Sequence, residues 1–234
     1  FSDLGADSVQ FGFSESLLIE DDRLYCTPGG KSHNMVALNR FTGEILWASP
    51  GSGEQATYSS PVLFRHRGRP LLVNLTASHI LGLDALTGKV LWQIYQYQDN
   101  NIHANTPLYH EGNILVSSAS RKDSSGLVML RLSPEGDSVR VLWRNKGVIN
   151  LSGGAILNDS SIYMSAYLQP KWYCIDLNTG EIRYTAGDPG GGAVIYADGM
   201  LYCYSERGEL ALVKADPSGF NVISKTRVTL GSGQ

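Results

Sequence analysis

Residues 83–92, which read LDALTGKVLW, occur in modified form elsewhere in the chain. Residues 37–47 read ALNRFTGEILW and residues 175–184 read IDLNTGEIRY. In each copy an apolar run ends at Asp or Asn, a Thr-Gly pair follows, and a second apolar run begins. Short apolar runs separated by such turn residues indicate two β-strands joined by a tight hairpin. The chain therefore contains an internal repeat.

Turn glycines extend the pattern to five repeats. They are spaced by 45, 48, 44 and 39 residues, at Gly43, Gly88, Gly136, Gly180 and Gly219. Each repeat holds four short runs rich in Val, Ile, Leu and Tyr, and no stretch shows a sustained helical period. Four antiparallel strands in about 45 residues predict an all-β fold, a β-propeller with one four-stranded blade per repeat. The blades are predicted at 13–50, 56–97, 103–146, 151–186 and 190–228 of a single domain, 1–234.

A large side chain follows each turn and is expected to dock against the next blade, where a flat ring packs well. In four repeats it comes four residues after the glycine, as Trp47, Trp92, Tyr184 and Ile223. A three-residue insertion in the third repeat places it at Trp143. The turn glycines Gly43, Gly88 and Gly180 are expected to belong to the same docking structure. Gly88 and Gly180 are expected to take positive φ.

Composition limits the classes of partner. The net charge of −3 argues against nucleic acid, which needs a basic face. No apolar run reaches the roughly 18 residues of a membrane span, so none is expected. The three cysteines lie in apolar runs and are expected to be buried free thiols, with a Cys174–Cys203 disulfide as the alternative.

The pattern LDxxTGxxxW resembles the tryptophan-docking repeat of pyrroloquinoline-quinone (PQQ) propellers, the PQQ-like or BamB-like family. LDALTGKVLW fits it fully, LNRFTGEILW departs at one position and IDLNTGEIRY at two, whereas LRLSPEGDSVRVLW and VKADPSGFNVI are degenerate. The resemblance covers residues 13 to about 228 and implies a ring of seven or eight blades. The chain is then part of a larger ring, or alternatively five blades close on themselves. An extracytoplasmic location, the bacterial periplasm or cell envelope, is also implied.

The segments that begin each blade face the central channel of a propeller, and here they read GFSES, ATYSS, IHANT, LSGGA and GGGAV. Their polar side chains predict a funnel that orients a small polar ligand without reacting with it. The candidates are Glu15, Tyr58, Ser59, His103, Asn105 and Ser152. The alternative is a water-filled channel whose polar lining satisfies backbone groups.

No residue pattern identifies a reaction, so no catalytic or metal-binding residue and no cofactor are predicted. PQQ dehydrogenases of the resembling alcohol dehydrogenase type carry an adjacent cysteine pair and a calcium site. This chain has no such pair, and Glu15 is the only carboxylate at a blade start. The favoured function is a non-catalytic scaffold for a protein partner or polar ligand. The alternatives are a PQQ- and calcium-dependent alcohol or polyol dehydrogenase, and a carbohydrate- or polymer-binding module.

Two further expectations concern the surface. His66, within FRHRGRP, is expected at a solvated hairpin end. The polar loops YQYQDNN and SASRKDSSG are candidates for partner contact near Tyr97 and Arg121, because loops on a rigid scaffold often carry function. The alternative is that both are simple solvated loops.

Overall fold

The computed structural model of the protein describes residues 2–6, 9–98, 102–120, 122, 124–151, 153–166 and 169–228. Within these ranges the regular structure is almost entirely β, and the described helix is one 3-10 turn, Ser2–Leu4. No helix in this part of the chain has the length and apolar character needed to cross a bilayer. The chain divides into two compact units, Phe1–Lys146 and Gly147–Gln234.

Unit 1 contains three four-stranded antiparallel sheets and a two-stranded one. The first sheet is formed by β1 (Leu18–Glu20), β2 (Arg23–Cys26), β4 (His33–Asn39) and β5 (Ile45–Pro50). The second is formed by β7 (Val62–His66), β8 (Arg69–Leu75), β9 (His79–Asp84) and β10 (Val90–Tyr95). The third is formed by β11 (Leu108–His110), β12 (Asn113–Val116), β13 (Leu127–Leu132) and β14 (Val139–Asn145). Strands β3 (Gly29–Gly30) and β6 (Glu54–Gln55) pair separately.

Unit 2 contains two more four-stranded antiparallel sheets. The fourth sheet is formed by β15 (Ala155–Asn158), β16 (Ser161–Ser165), β17 (Trp172–Asp176) and β18 (Ile182–Ala186). The fifth is formed by β19 (Gly192–Ala197), β20 (Met200–Ser205), β21 (Glu209–Lys214) and β22 (Asn221–Arg227). The predicted four-stranded organisation is confirmed, whereas the blade bounds stay predictions. The blade count of a complete ring and the single-domain assignment stay predictions.

Strands alternate in direction within a sheet, so its first and last hairpin turns lie at the same end. We call this the turn end, and the opposite end, where each sheet begins, the loop end. The first turn of every sheet has two residues, and the first of them has positive φ. The last turn is the site of the Thr-Gly motif in three sheets.

The acid or amide that recurs in three repeats, Asn39, Asp84 or Asp176, closes that last turn. In the second sheet, Asp84 Oδ1 accepts hydrogen bonds from the backbone N–H groups of Leu86 and Thr87, both at 3.1 Å. Asn39 and Asp176 make the same pair of bonds in their own turns. A short side-chain acceptor is needed here because it replaces a backbone partner that the tight turn cannot supply. This local bonding explains why the motif recurs.

A β-bulge follows each last turn and sets which side chain occupies the docking position. The residue pairs just before the bulge are Ala37–Trp47, Gly82–Trp92, Met129–Trp143, Cys174–Tyr184 and Leu212–Ser224. In the fifth sheet this position is therefore held by Ser224, and the prediction of Ile223 was wrong. The hairpin that joins this pair is two residues longer than in the first, second and fourth sheets, with one residue added on each side of Gly219, so the docking position moves on by one relative to the glycine. Ile223 is 61% exposed.

At the first junction, Trp47 docks on the last turn of the second sheet. Its Nε1–H donates to the carbonyl of Ala85 at 3.1 Å, and the side chain is buried between the two sheets. A Cβ atom on Gly88 would lie 2.3 Å from Trp47 Cε3. Gly88 also has a φ of 71°, so both the backbone conformation and the close approach of the ring require glycine.

The second junction uses a different donor. Trp92 is buried in the cluster shared by the second and third sheets, but its Nε1 has no hydrogen-bond partner among the described residues. Instead His66 Nε2 donates to the carbonyl of Ser133 at 2.9 Å, and its Nδ1 lies 3.1 Å from the Tyr109 hydroxyl. The expectation that His66 is solvated was wrong. It is buried because the longer last turn of the third sheet reaches over it.

In unit 2, Tyr184 packs edge-on against Phe220, which follows the last turn of the fifth sheet, at 6.5 Å between ring centroids. Trp143, at the end of unit 1, is buried. All three cysteines are free and buried, as the sequence predicted. Burial raises the pKa of Cys26 and of Cys203 to about 12, so both thiols stay protonated and unreactive at neutral pH.

The two docking tryptophans of unit 1 should respond differently to replacement by phenylalanine. Trp47→Phe removes the shorter of two hydrogen bonds to the Ala85 carbonyl and leaves the 3.4 Å bond from the Tyr25 hydroxyl, so it should cost about 1 kcal/mol beyond the lost packing. Trp92→Phe removes an indole N–H that has no partner and should cost less, whereas Trp92→Ala should cost roughly 3–5 kcal/mol because it opens a cavity. Urea unfolding followed by fluorescence measures all three. Equal losses for the two phenylalanine variants would contradict the role given to the Trp47 hydrogen bond.

Candidate functional site

Four predicted site residues lie together at the loop end of unit 1. The backbone N–H of Tyr58 donates to the carbonyl of His103 at 2.9 Å. The hydroxyl of Ser59 donates to the carbonyl of Asn105 at 3.2 Å, and Asn105 Nδ2 donates to the Ser117 hydroxyl at 3.0 Å. These bonds join the beginnings of the second and third sheets. Ser152 lies outside the described residues.

Glu15 belongs to the neighbouring segment. The backbone N–H of Ser16 donates to the Ser60 hydroxyl at 2.9 Å, which places Glu15 beside the start of the second sheet. Glu15 Oε1 accepts from the Thr27 backbone at 2.6 Å, while Oε2 is buried without a partner in the described chain. Burial raises the pKa of Glu15, and the Thr27 hydrogen bonds only partly oppose that. The carboxylate is held in an environment that favours its neutral form.

His103 and Tyr58 are also engaged with the protein itself. His103 is 1% exposed, and its ring nitrogens reach no partner in good hydrogen-bond geometry. Burial lowers the pKa of His103 to about 4, so the ring is neutral at physiological pH. The Tyr58 hydroxyl accepts from the Phe11 backbone at 3.1 Å. The structure brings these residues into one region but mostly turns their polar atoms toward neighbouring backbone.

Sequence reasoning missed a denser polar cluster centred on Glu54. Its carboxylate accepts from the hydroxyls of Thr76 (2.5 Å) and Ser78 (2.8 Å), and lies 2.5 Å from His79 Nδ1. Burial alone would raise the pKa of Glu54, but these hydrogen bonds together lower it. Glu54 lies in the glycine-rich run GSGEQA, which reads as a turn. Its partners are more than 20 residues away, so only the folded chain brings them together.

The Glu54 cluster is not arranged for nucleophilic catalysis. In a Ser-His-carboxylate triad the carboxylate and the serine lie at opposite ring nitrogens of the histidine. Here the Ser78 hydroxyl is 3.4 Å from His79 Nδ1, the same nitrogen that faces Glu54. The cluster instead joins β6 to the turn between β8 and β9.

The predicted cluster at the loop end of unit 1 does not fit a calcium–quinone site. Calcium takes six to eight oxygen ligands, usually with several carboxylates. The predicted cluster supplies one carboxylate, Glu15, whose surroundings favour the protonated form, and the Asn105 amide is bonded to Ser117. Among the described residues, no group of three His, Cys, Asp or Glu side chains is placed to hold a metal ion.

The turn end of unit 1 presents a different surface. Phe41 and Leu86 occupy equivalent positions at the tips of the last turns of the first two sheets and are 73% and 53% exposed. Pro134 is exposed at the tip of the corresponding turn in the third sheet. The guanidinium of Arg40 lies over the Phe41 ring at 4.5 Å. We call Phe41, Leu86 and Pro134 the apolar tips.

The fold is a β-propeller, as comparison with solved structures shows. BamB from Moraxella catarrhalis superposes with a TM-score of 0.68 at 13% identity, over 92% of this chain and 61% of that one. Quinohemoprotein alcohol dehydrogenase from Comamonas testosteroni gives 0.61 at 11% identity, over 92% and 43%. The designed protein Ika8 gives 0.60 at 13%, over 88% and 59%. The chain thus spans less than two thirds of each of these proteins.

Within this class, a family model described as outer membrane protein assembly factor BamB matches residues 7–186. The chain belongs to that family, as the resemblance of its repeats predicted. Comparison with curated proteins gives no match.

Glu15 and Glu54 should respond to pH in opposite ways. The lowered pKa of Glu54 means that its charge stabilises the fold above pH 4.5, its ordinary value, and that this contribution is lost as the pH falls through the folded-state pKa. Glu54→Gln should therefore cost about 1–3 kcal/mol at pH 7 and less in acid. The raised pKa of Glu15 means that its charge destabilises the fold, so Glu15→Gln should raise the melting temperature at pH 7.

Thermal unfolding between pH 3.5 and 7.5 measures both effects. Glu181→Gln is the matched control, because this side chain is exposed on a turn and should change little. The assignment fails if both substitutions shift the melting temperature in the same direction at pH 7.

Proposed function

We propose that the chain is a non-catalytic, extracytoplasmic scaffold that binds a protein partner through the turn end of unit 1. The apolar tips are the observation that carries this proposal. A hairpin turn fixes the backbone of the residue at its tip, so little backbone entropy is lost when that residue is buried on binding. Large exposed apolar side chains on one side of a protein are typical of protein interaction sites.

The polar cluster at the loop end supports the same reading. Several of the side chains expected to meet a ligand are instead bonded to backbone, as with Ser59 to the Asn105 carbonyl and Glu15 to the Thr27 N–H. Such bonds hold the starts of adjacent sheets together. They match the alternative interpretation of the polar lining, in which it satisfies backbone groups.

Family membership supports a class of partner. The family is described as an outer membrane protein assembly factor, which supports a location in the bacterial envelope and a partner among assembly proteins. A carbohydrate-binding role is less favoured, because all four tryptophans are buried and none offers a platform for a sugar ring.

Site-specific photo-cross-linking tests the scaffold function. With p-benzoylphenylalanine in place of Phe41 or Leu86, expression in the envelope of a Gram-negative bacterium should give one discrete protein adduct, identified by mass spectrometry. The same probe at Ile182, an exposed apolar position in unit 2, is the control. The double variant Phe41→Ser, Leu86→Ser should reduce recovery of that partner at least tenfold. Equal adducts at all three positions, or none, would contradict the proposal.

Binding of PQQ separates the scaffold from the dehydrogenase alternative. We expect titration calorimetry with PQQ and calcium to show no binding at micromolar or tighter affinity, because the predicted cluster offers one carboxylate in a site that favours its neutral form. One-site binding at micromolar affinity or better, lost in Glu15→Gln, would favour a quinoprotein oxidoreductase instead.

A further inference from the structure

The last hairpin of the third sheet departs from the repeat. Its insertion adds two residue pairs beyond the bulge, Arg131–Arg140 and Leu132–Val139, before the chain turns. Arg131 and Arg140 are therefore directly opposite each other on adjacent antiparallel strands, and both are exposed. Like charges directly opposite across a ladder destabilise a sheet. An anion between the two guanidinium groups would remove that cost.

The charge at this position is reversed relative to the best repeats. The residue two places after the docking pair is Asn39, Asp84 and Asp176 in the first, second and fourth sheets. Asp84 pairs with Arg69 at 3.0 Å, and Asp176 pairs with Arg183. In the third sheet the equivalent residue is Arg131. This sheet therefore has no acid at the position where Asp84 and Asp176 pair with an arginine.

A third arginine comes from the first turn of the second sheet. Arg67 has a φ of 50°, a conformation that suits Gly, Asn and Asp better than arginine. The other four sheets place an acid at this turn position, as Asp21, Glu111, Asp159 and Asp198. Arg67 therefore breaks both the local preference and the charge pattern of the repeat, and such departures are expected mainly at functional sites.

Arg67, Arg131 and Arg140 line one cavity of about 400 Å³. The hydroxyl-bearing residues Ser133 and Ser138 and the ring of His66 complete its polar wall, and no carboxylate lines it. None of the three arginines forms an ion pair within the described part of the chain. Arg131 is held by bonds from Nη1 to the Glu111 carbonyl and to Asn113 Oδ1, which leaves its other nitrogens for a ligand.

Among the described residues, the acids on the same turns form no ion pair with the three arginines. The Asp137 carboxylate accepts from the hydroxyls of Ser133 and Ser138, at 2.8 and 3.3 Å. Glu111 lies 4.0 Å from His110 and contacts Arg131 only through its backbone carbonyl. The three guanidinium groups therefore present an unpaired cationic surface in a chain of net charge −3.

We propose that this arginine pocket binds carboxylate side chains of an acidic segment in a protein partner. Three apolar residues, Leu132, Pro134 and Val139, form the rest of its wall. A mixed wall suits acidic residues interleaved with apolar ones better than a free oxyanion. Pro134 is also an apolar tip, so the pocket shares a residue with the surface assigned above, and the inference rests on the proposed function. Arginine clusters commonly bind acidic sequence motifs in other proteins.

Fluorescence anisotropy with a defined probe tests the pocket. A fluorescein-labelled heptapeptide of alternating glutamate and leucine should bind the full chain, and its glutamine–leucine counterpart should bind at least tenfold more weakly. Arg67→Gln and Arg140→Gln should each weaken binding about tenfold, the effect of losing one charge-assisted hydrogen bond. Binding should also weaken as the salt concentration rises. Arg227→Gln, on the exposed outer strand of the fifth sheet, is the matched control and should bind normally.

Arg67→Asn separates folding from binding. Asn tolerates positive φ, so this variant should melt at the same or a higher temperature while binding as weakly as Arg67→Gln. The proposal is overturned if the arginine variants bind like the parent, or if the glutamine peptide binds equally well. It is also overturned if vesicles of anionic phospholipid, or inorganic phosphate, bind with this arginine dependence while the peptide does not.

The outcomes also separate this inference from the scaffold function. A partner that cross-links at Phe41 and is recovered equally by Arg67→Gln and Arg140→Gln leaves the scaffold function standing and removes the acidic-segment inference. Arginine-dependent peptide binding without any cross-linked partner supports the arginine pocket and contradicts the scaffold function.

Discussion

The packing of one sheet on the last turn of the neighbouring sheet is the interaction on which the rest of unit 1 depends. A four-stranded sheet of about 40 residues has two faces and cannot bury both by itself, so repeats of this kind are stable only when stacked. Trp47 joins the first two sheets through its ring on Gly88 and its bond to the Ala85 carbonyl. The Asp84 cap holds that turn in the shape the ring needs. One motif thus supplies both the hairpin and its interface.

The second junction shows what happens when the motif degenerates. The third sheet has Ser-Pro-Glu-Gly in place of the Asp-x-x-Thr-Gly turn, and Trp92 no longer finds an acceptor for its N–H. His66 donates to Ser133 instead, and Arg69 donates to the Glu135 carbonyl at 3.0 Å. The packing cluster still spans both sheets. Apolar burial therefore holds the interface, while the polar bonds that orient it are free to change between junctions.

Much of the fold could be predicted from sequence because the repeat encodes it locally. Strand order and the positions of Trp47, Trp92, Trp143 and Tyr184 follow from short-range patterns. The errors arose where a turn changed length, since one added residue moved the docking position from Ile223 to Ser224, and a longer turn buried His66. The Glu54 cluster had no sequence signal, because its members are ordinary polar residues joined only by folding. The grouping of Tyr58, Ser59, His103 and Asn105 followed from the repeat, but the direction of their polar atoms did not.

The remodelled junction and the arginine pocket have one structural origin. The longer hairpin of the third sheet brings Ser133 over His66 and also adds the Arg131–Arg140 pair. His66 and the Arg131 guanidinium both lie beside Gly112. The two residues of the bond that replaces the tryptophan N–H, His66 and Ser133, therefore also line the arginine pocket. A repeat protein with identical junctions presents the same surface at every blade. Varying one turn changes the surface at a single place while the neighbouring sheets keep their packing, and in unit 1 that place adjoins the apolar tips.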